Sequence, residues 1–329
     1  MDAQRLRKAP NIAIVGSTSL LGKELREMLE NRGLPMGRLA LLETEEYAGL
    51  LQEFAGEIQI TQVISPNAFD DIDIAFFTCG PEIMQSYVAS GAKIPDLTID
   101  LTQAGLDGTV YLHGISDPRV LRTERYFVNP HPAAIVIGRI LAHVHNKFAI
   151  QSAAVTILQP ASERGNAGVD ELQEQTVSLL NFQQVEKKVF GGQLAFNLLP
   201  EPDFSAPTER RIINQLDAIF GKTFPKPAIQ AVQVPVFHSH SFSIFIDAAS
   251  NGGELAAHFA KNPMFEMHDS SDSASPVGVV GSEKIHLERL RSRENGSYVL
   301  WAVADNLRIA ASNAIQTAEH IMLAPALDA

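Results

Sequence analysis

Asn11-Ile12-Ala13-Ile14-Val15-Gly16-Ser17-Thr18-Ser19-Leu20-Leu21-Gly22 is the stretch that decides the fold of this 329-residue chain. Its first six residues, Asn11–Gly16, form an apolar run that ends in glycine, the pattern of a strand buried on both faces of a parallel sheet. Beyond it, Leu20, Leu21, Leu25, Met28 and Leu29 recur at helical spacing as far as Arg32, and Gly33 stops the run. Residues 16–22 therefore join a strand to a helix. There, exposed backbone N–H groups and the positive end of a helix suit the pyrophosphate of a dinucleotide. Gly16 permits the tight turn and Gly22 permits close helix–strand packing, whereas the middle glycine of the usual fingerprint is Ser19 here. Ser17, Thr18, Leu20 and Leu21 complete the candidate cofactor cradle; a tight turn that binds nothing is the alternative.

Short apolar runs follow at 39–42, 72–77, 97–101 and 126–128, separated by polar or helical stretches. Strands alternating with helices imply right-handed βαβ units and an open, doubly wound α/β sheet. After about residue 135 the pattern changes. Residues 138–145 and 307–323 have helical spacing, and 169–182 is amphipathic. The stretches 151–158, 228–236, 241–248 and 298–304 read as longer strands, so a sheet with helices on one side is expected there. Residues 269–275, DSSDSAS, read as a solvated loop. The expected division is 1–130 with a C-terminal helix at 305–325, and 131–304.

The length fits about two domains, and 45% hydrophobic against 19% charged residues is enough to build their cores. The charge is 26 − 38 = −12, which repels nucleic-acid phosphates and anionic lipid surfaces; neither is an expected partner. One cysteine, Cys79, excludes an internal disulfide and a multi-thiolate metal site. No uncharged apolar run approaches the roughly 20 residues that span a bilayer. Met1 to Pro10 is basic and polar, so no signal peptide is expected and the location expected is cytoplasmic.

After the second strand stand Glu43-Thr44-Glu45-Glu46, three acids and no base. A carboxylate here favours the ribose 2′-OH of NAD over the 2′-phosphate of NADP. Glu43 is thus a candidate cofactor residue, and any nucleotide bound is expected to be NAD; a solvated acidic loop is the alternative.

Further segments carry a resemblance: Gln159-Pro160-Ala161-Ser162-Glu163-Arg164-Gly165, the helix at 169–180, Phe196-Asn197-Leu198-Leu199-Pro200, Pro235-Val236-Phe237-His238-Ser239-His240-Ser241, and Asp305-Asn306-Leu307-Arg308 with Asn313. Together with the glycine turn they make six ordered matches, and over nearly its whole length the chain resembles the aspartate-β-semialdehyde dehydrogenase family. Within it the chain is most similar to the nucleophile-lacking Usg-type paralogues. The resemblance implies a Rossmann-like domain, a glyceraldehyde-phosphate-dehydrogenase-like α+β second domain, a homodimer, and NAD or NADP as cofactor, with Ser162 and Asn313 among the cofactor contacts. It also implies reductive dephosphorylation of an acyl phosphate through a thioester on a cysteine in an NPNCST-type turn.

Here that turn is Asn129-Pro130-His131-Pro132-Ala133-Ala134, with Pro132 at the nucleophile position. The position of the family's phosphate-binding arginine is Leu106, and that of its substrate-carboxylate arginine is Gln233; a neutral amide cannot replace a bidentate guanidinium fork. The resemblance leaves Gln159 as orienting glutamine, Asn129, Glu209 and Arg211 as substrate contacts, and His240 as general base. The reading is a family homologue without phosphorylating aldehyde dehydrogenase activity, acting by binding or by pairing with a protein partner. The alternative is an NAD(P)-dependent oxidoreductase on a different oxo or aldehyde substrate, without covalent catalysis. Without a thiol to deprotonate, His240 can equally be a packed core residue. His238 and His240 could share a strand face and, with His131, suggest zinc, but no third ligand stands at a diagnostic spacing and no metal is expected. Cys79 reads as a displaced nucleophile or a small buried residue, and Glu163 and Arg164 as crowding the nicotinamide or as an exposed ion pair.

Overall fold

A computed structural model describes residues 9–323 apart from 66, 92, 96, 202–206, 249–251, 270–272 and 293–295. The chain divides into two compact units, one running to His131 and resuming at Ala310, the other spanning Pro132–Ile309. The first holds β1 (Ile12–Val15), α1 (Leu20–Arg32), β2 (Leu39–Glu43), β3 (Leu51–Phe54), β4 (Glu57–Ile60), β5 (Gln62–Val63), β6 (Ile74–Phe77), α2 (Pro81–Ala89), β7 (Leu97–Asp100), β8 (Thr109–Val110), α3 (Val120–Thr123) and β9 (Tyr126–Val128). Its seven-stranded sheet runs β5-β2-β1-β6-β7-β9-β8, every pair parallel.

β1 is central, and its residues alternate between two cores. Ile12 and Ile14 join Ile74, Phe76 and Ile99 against Leu25, Met28 and Leu29 of α1 and Ala311, Ala314 and Ile315 near the chain's end. Ala13 and Val15 face the other way, toward Ala40, Leu42, Phe77 and Met84. Burial on both faces is why this strand reads as a continuous apolar run, and each large side chain so buried contributes about 1.5–3 kcal/mol. The doubly wound α/β sheet expected from the sequence is present. An antiparallel hairpin, β3 with β4, was not expected: Leu51, Ile58 and Ile60 are exposed on it, so it shows no clean alternation, and Ala55 and Gly56 turn it with φ of 52° and 78°.

The second unit holds α4 (Pro132–His145), β10 (Ile150–Gln159), α5 (Gly165–Leu180), β11 (Leu199–Pro200), α6 (Pro207–Phe220), β12 (Ala228–Gln233), β13 (His240–Ala248), α7 (Gly252–Ala260), β14 (Phe265–Met267), β15 (Ile285–Ser292) and β16 (Ser297–Ala304), and α8 (Asn306–Leu323) begins at its end. Its sheet runs β11-β12-β10-β13-β16-β15-β14 and is mixed, with β10 parallel to β12 and antiparallel to β13. α4 packs on β10 and α6 on β12. This is the expected α+β half. α4 starts at Pro132 rather than residue 138, because proline is favoured at the first helical position, where its missing N–H has no partner to lose. Residues 269–275 are not uniformly solvated: Ala274 is buried, its N–H and the Ser273 hydroxyl donate to Glu288, and its carbonyl accepts from Trp301. Residues 270–272 of that stretch lie outside the described residues. Among the described residues no helix is long and apolar enough to cross a membrane.

Gly22 is the tightest point of the β1–α1 junction. A Cβ built there would stand 2.3 Å from the Gly16 carbonyl oxygen and 2.9 Å from Ser17 Cα, both backbone atoms. Gly22→Ala is therefore expected to lower the unfolding free energy by about 1–3 kcal/mol, followed by far-UV circular dichroism in urea. A variant as stable as the parent would show that α1 can move off the sheet without cost.

Candidate functional site

β1 is flanked by β2 and β6, so the chain order reverses there and a crevice opens at the carboxyl ends of the three strands. The Gly16–Gly22 turn fills its centre. Gly16 has φ 85°, and a Cβ on it would meet the Cys79 backbone nitrogen at 2.5 Å, so the turn lies directly on the chain leaving β6. Thr78 fastens that approach, its hydroxyl donating to the carbonyls of Val15 (2.9 Å) and Gly16 (3.0 Å). Ser19, where the fingerprint has glycine, is the N-cap of α1: its Oγ accepts from Gly22 N–H at 2.9 Å and donates to the Thr78 carbonyl at 3.0 Å. Leu20 and Leu21 open the helix.

Glu43 is not solvated. Its side chain is 4% exposed, and its Oε1 accepts from the Thr18 N–H at 2.6 Å and the Ser17 hydroxyl at 3.2 Å. The carboxylate therefore closes over the turn and takes up one of the amides a pyrophosphate would need. Thr44 is half-buried, and Glu45 and Glu46 are exposed.

Asn129 and Asn313 are brought together, and each is occupied by its own domain. Asn313 donates to the Asn129 Oδ1 (2.8 Å) and the Tyr111 carbonyl (3.1 Å) and accepts from His113 N–H (2.9 Å); Asn129 donates to the Ala310 carbonyl at 3.3 Å. These buried amides tie the end of β9 to α8, a structural task that sequence reasoning did not assign them. Leu106 packs against the apolar cluster around Val15 and Phe77.

In the second unit Pro132 is half-buried at the first position of α4, and Ala133 and Ala134 behind it are fully buried. Gln159 ends β10 in register with Gln233 on β12. The Gln159 carbonyl accepts from Gln233 Nε2 at 2.8 Å and Val234 N–H at 3.0 Å, while the buried Gln233 Oε1 finds no donor among the described residues. Ser162 is buried and exchanges hydrogen bonds with the Asn306 side chain at 3.1–3.3 Å. Glu209 on α6 accepts from the Ala231 N–H of β12 at 2.8 Å, and Arg211 is half-buried one helical residue beyond Arg210.

His240 is the first residue of β13 and fully buried. Its Nε2 stands 3.1 Å from the Glu163 Oε2, a carboxylate itself 16% exposed. Glu163 thus partners His240 while Arg164 is exposed, so the alternative of an exposed ion pair between the two is not what the structure shows. An imidazole beside a carboxylate is held in one orientation and can carry or release a proton. Sequence reasoning also passed over Arg139, two turns along α4 from Pro132. Burial lowers its pKa to about 10, with Glu283 the opposing charge. Its only sequence signal is a lone arginine in an apolar helix.

His238 and His240 do not share a strand face, because Ser239 adopts φ 74° and His238 precedes β13. Among the described residues the grouping of metal-ligating type is a different one, Glu266 with His268 and His286.

Residues 11–108 match the family model for the semialdehyde dehydrogenase NAD binding domain, and residues 141–309 match that for the semialdehyde dehydrogenase dimerisation domain. The chain is 30% identical over 336 residues to the aspartate-semialdehyde dehydrogenase of Rickettsia conorii, covering 96% of this chain and 99% of that protein. It is 28% identical to the USG-1 protein homolog of Azotobacter vinelandii, covering 95% and 98%. Among solved structures, aspartate semialdehyde dehydrogenase II of Vibrio cholerae, complexed with ASA, superposes with a TM-score of 0.87 at 26% identity, covering 95% of this chain and 98% of that one.

Cys79 sits beside the glycine turn, and burial, followed by the charge of Asp100, pushes its thiol up to about 12. A thiolate is the reactive form, so at pH 8 the native protein is expected to react with an aromatic disulfide reagent about 10³-fold more slowly than the unfolded chain. Equal absorbance-monitored rates would restore Cys79 as a candidate nucleophile.

Proposed function

Because the chain belongs to the aspartate-semialdehyde dehydrogenase family, we propose that it is a member that retains the dinucleotide and dimerisation domains but forms no acyl-enzyme. The observation that carries this reading is Pro132 at the first position of α4, followed by the buried Ala133 and Ala134. Proline offers neither a nucleophile nor an N–H, so no thioester can be built at that turn. Two charge losses lean the same way: Leu106 in an apolar cluster cannot hold a phosphate, and Gln233 holds the Gln159 carbonyl where an arginine would grip a carboxylate.

A nicotinamide dinucleotide is the proposed ligand of the crevice over residues 16–22. Its pyrophosphate would lie on the amides at the start of α1, which Ser19 caps and Gly22 brings close to the sheet. The acids after β2, with Glu45 and Glu46 exposed, support NAD over NADP, because negative charge beside the ribose would oppose a 2′-phosphate. A homodimer through the second domain is proposed from the dimerisation-domain match. The outer face of that domain's sheet, where Ser243 and Val299 are exposed and Phe245 is half-buried, is where a second copy would rest.

The His240–Glu163 pair favours a second reading, a noncovalent oxidoreductase acting on another oxo or aldehyde substrate. A bound nicotinamide would supply hydride to the carbonyl carbon. His240, oriented by Glu163, would supply the proton to the carbonyl oxygen, and that transfer needs no nucleophile.

Incubation with aspartate semialdehyde, NAD or NADP and inorganic phosphate is expected to leave the intact mass unchanged and to give no phosphate-dependent nucleotide reduction. A covalent adduct, or turnover above about 1 per second, would overturn the proposal.

Calorimetric titration is expected to show NAD bound more tightly than NADP. The reverse order would mean that the acids after β2 do not select the nucleotide.

A further inference from the structure

Far along the second sheet from β10, the edge strand β14 lies parallel to β15, with Glu266 in register with His286. The ladder continues one residue past β14, where the His268 N–H donates to the Leu287 carbonyl at 2.8 Å. Strand alternation places Glu266 and His268 on one face, and the register places His286 on that same face. One ligand atom of each lies within 4.8 Å of the other two.

The two rings meet nitrogen to nitrogen: His268 Nε2 is 2.7 Å from His286 Nδ1. Neutral imidazole carries a lone pair on one nitrogen and a proton on the other, so two facing nitrogens need a proton or a cation between them. His286 is buried, and its Nε2 is 2.8 Å from the Ser282 Oγ, which also accepts from the Lys284 N–H at 3.2 Å. A ring whose far nitrogen is held in this way presents the near one in a fixed direction, as ligating histidines do. A hydrogen bond between the rings would account for the two histidines, but it gives Glu266 no part. A metal ion uses all three donors.

We propose that Glu266, His268 and His286 form a binding site for a divalent transition metal ion of the zinc type, pinning the edge strand β14 to β15. Two nitrogens and a carboxylate are a donor set zinc prefers, with water completing four ligands. Bonds of about 2.0–2.1 Å in a tetrahedron require the two nitrogens to part to roughly 3.4 Å, and the half-buried His268 is the ring able to move. Glu266 is paired with Lys284 at 2.9 Å, with side-chain exposures of 43% and 50%. So exposed a pair holds weakly, and a dication displaces the ammonium from it.

The test is calorimetric titration of the full-length chain with zinc alone, with cobalt(II) as a spectroscopic probe. One tight zinc per chain is expected, with the strong visible absorbance of four-coordinate cobalt and a thermal midpoint that rises with zinc. His268→Ala and Glu266→Gln, both at half-buried positions, should each weaken that event about tenfold or more and remove the thermal shift. Lys284→Met should bind at least as tightly as the parent, and His238→Ala should bind unchanged. A chain that takes up no zinc at tens of micromolar, or triad variants that bind as the parent does, would overturn the proposal. Neither result bears on whether the crevice binds NAD or whether Pro132 bars a thioester.

Discussion

The close approach of α1 to the end of β1 is the constraint from which the rest of the first domain follows. Gly22 stands against the Gly16 carbonyl and Gly16 against the backbone of Cys79, with contacts a side chain could not survive. With the helix seated there, Leu25, Met28 and Leu29 reach the face of the sheet that also takes Ala311, Ala314 and Ile315. At the helix start the Gly22 N–H is held by the Ser19 Oγ and the Lys23 N–H by the Ser19 carbonyl. Glu43 reaches the same place from β2, and its Oε1 ties the second and third residues of the turn to the neighbouring strand. Whatever binds over this turn meets a carboxylate already bonded there. Its charge opposes a phosphate-rich ligand.

Most of the first domain was legible because its signals are local. A strand buried on both faces must be apolar throughout, and the β1–α1 glycines announce themselves by spacing. The hairpin β3–β4 escaped notice because Leu51, Ile58 and Ile60 point outward, which erases the alternation that identifies a strand. The start of α4 was read late because proline in an NPHP run suggests a turn, although the first helical position tolerates it. The candidate site was legible in identity and not in partnership. His240 was picked out, but its contact with Glu163 spans 77 residues and depends on where β10 ends and β13 begins, which no periodicity encodes. The edge-strand histidines were missed for the same reason: 18 residues separate His268 from His286, and only the parallel register brings them face to face.

Several residues that the family resemblance marks as functional have structural tasks here that do not require chemistry. Asn129 and Asn313 satisfy each other and, between them, backbone groups of Tyr111, His113, Pro130 and Ala310, and an unpaired buried amide costs about 1–3 kcal/mol. Ser162 and Asn306 exchange hydrogen bonds, and the Asn306 Oδ1 also accepts from Ser239 N–H at 3.0 Å, which steadies the strained residue beside His240. Such residues persist in a chain whether or not substrate ever arrives. Their presence therefore supports the fold half of the resemblance and says little about turnover, on which the proposal rests instead on Pro132, Leu106 and Gln233.

Proline at position 132 is informative because of what it leaves undisturbed. The resemblance implies that a family nucleophile stands here, at the start of a helix whose positive end stabilises a thiolate. Most other residues would leave there an N–H that the helix cannot pair. Proline instead meets the conformational demand of a first helical position, removes an N–H that would find no partner, and fills space with a rigid ring. α4 keeps its buried face of Ile135, Val136, Ile140 and Leu141, so the second domain retains its packing. The proposal that sulfur takes no part in this chain's task therefore asks nothing of the packing of the second domain.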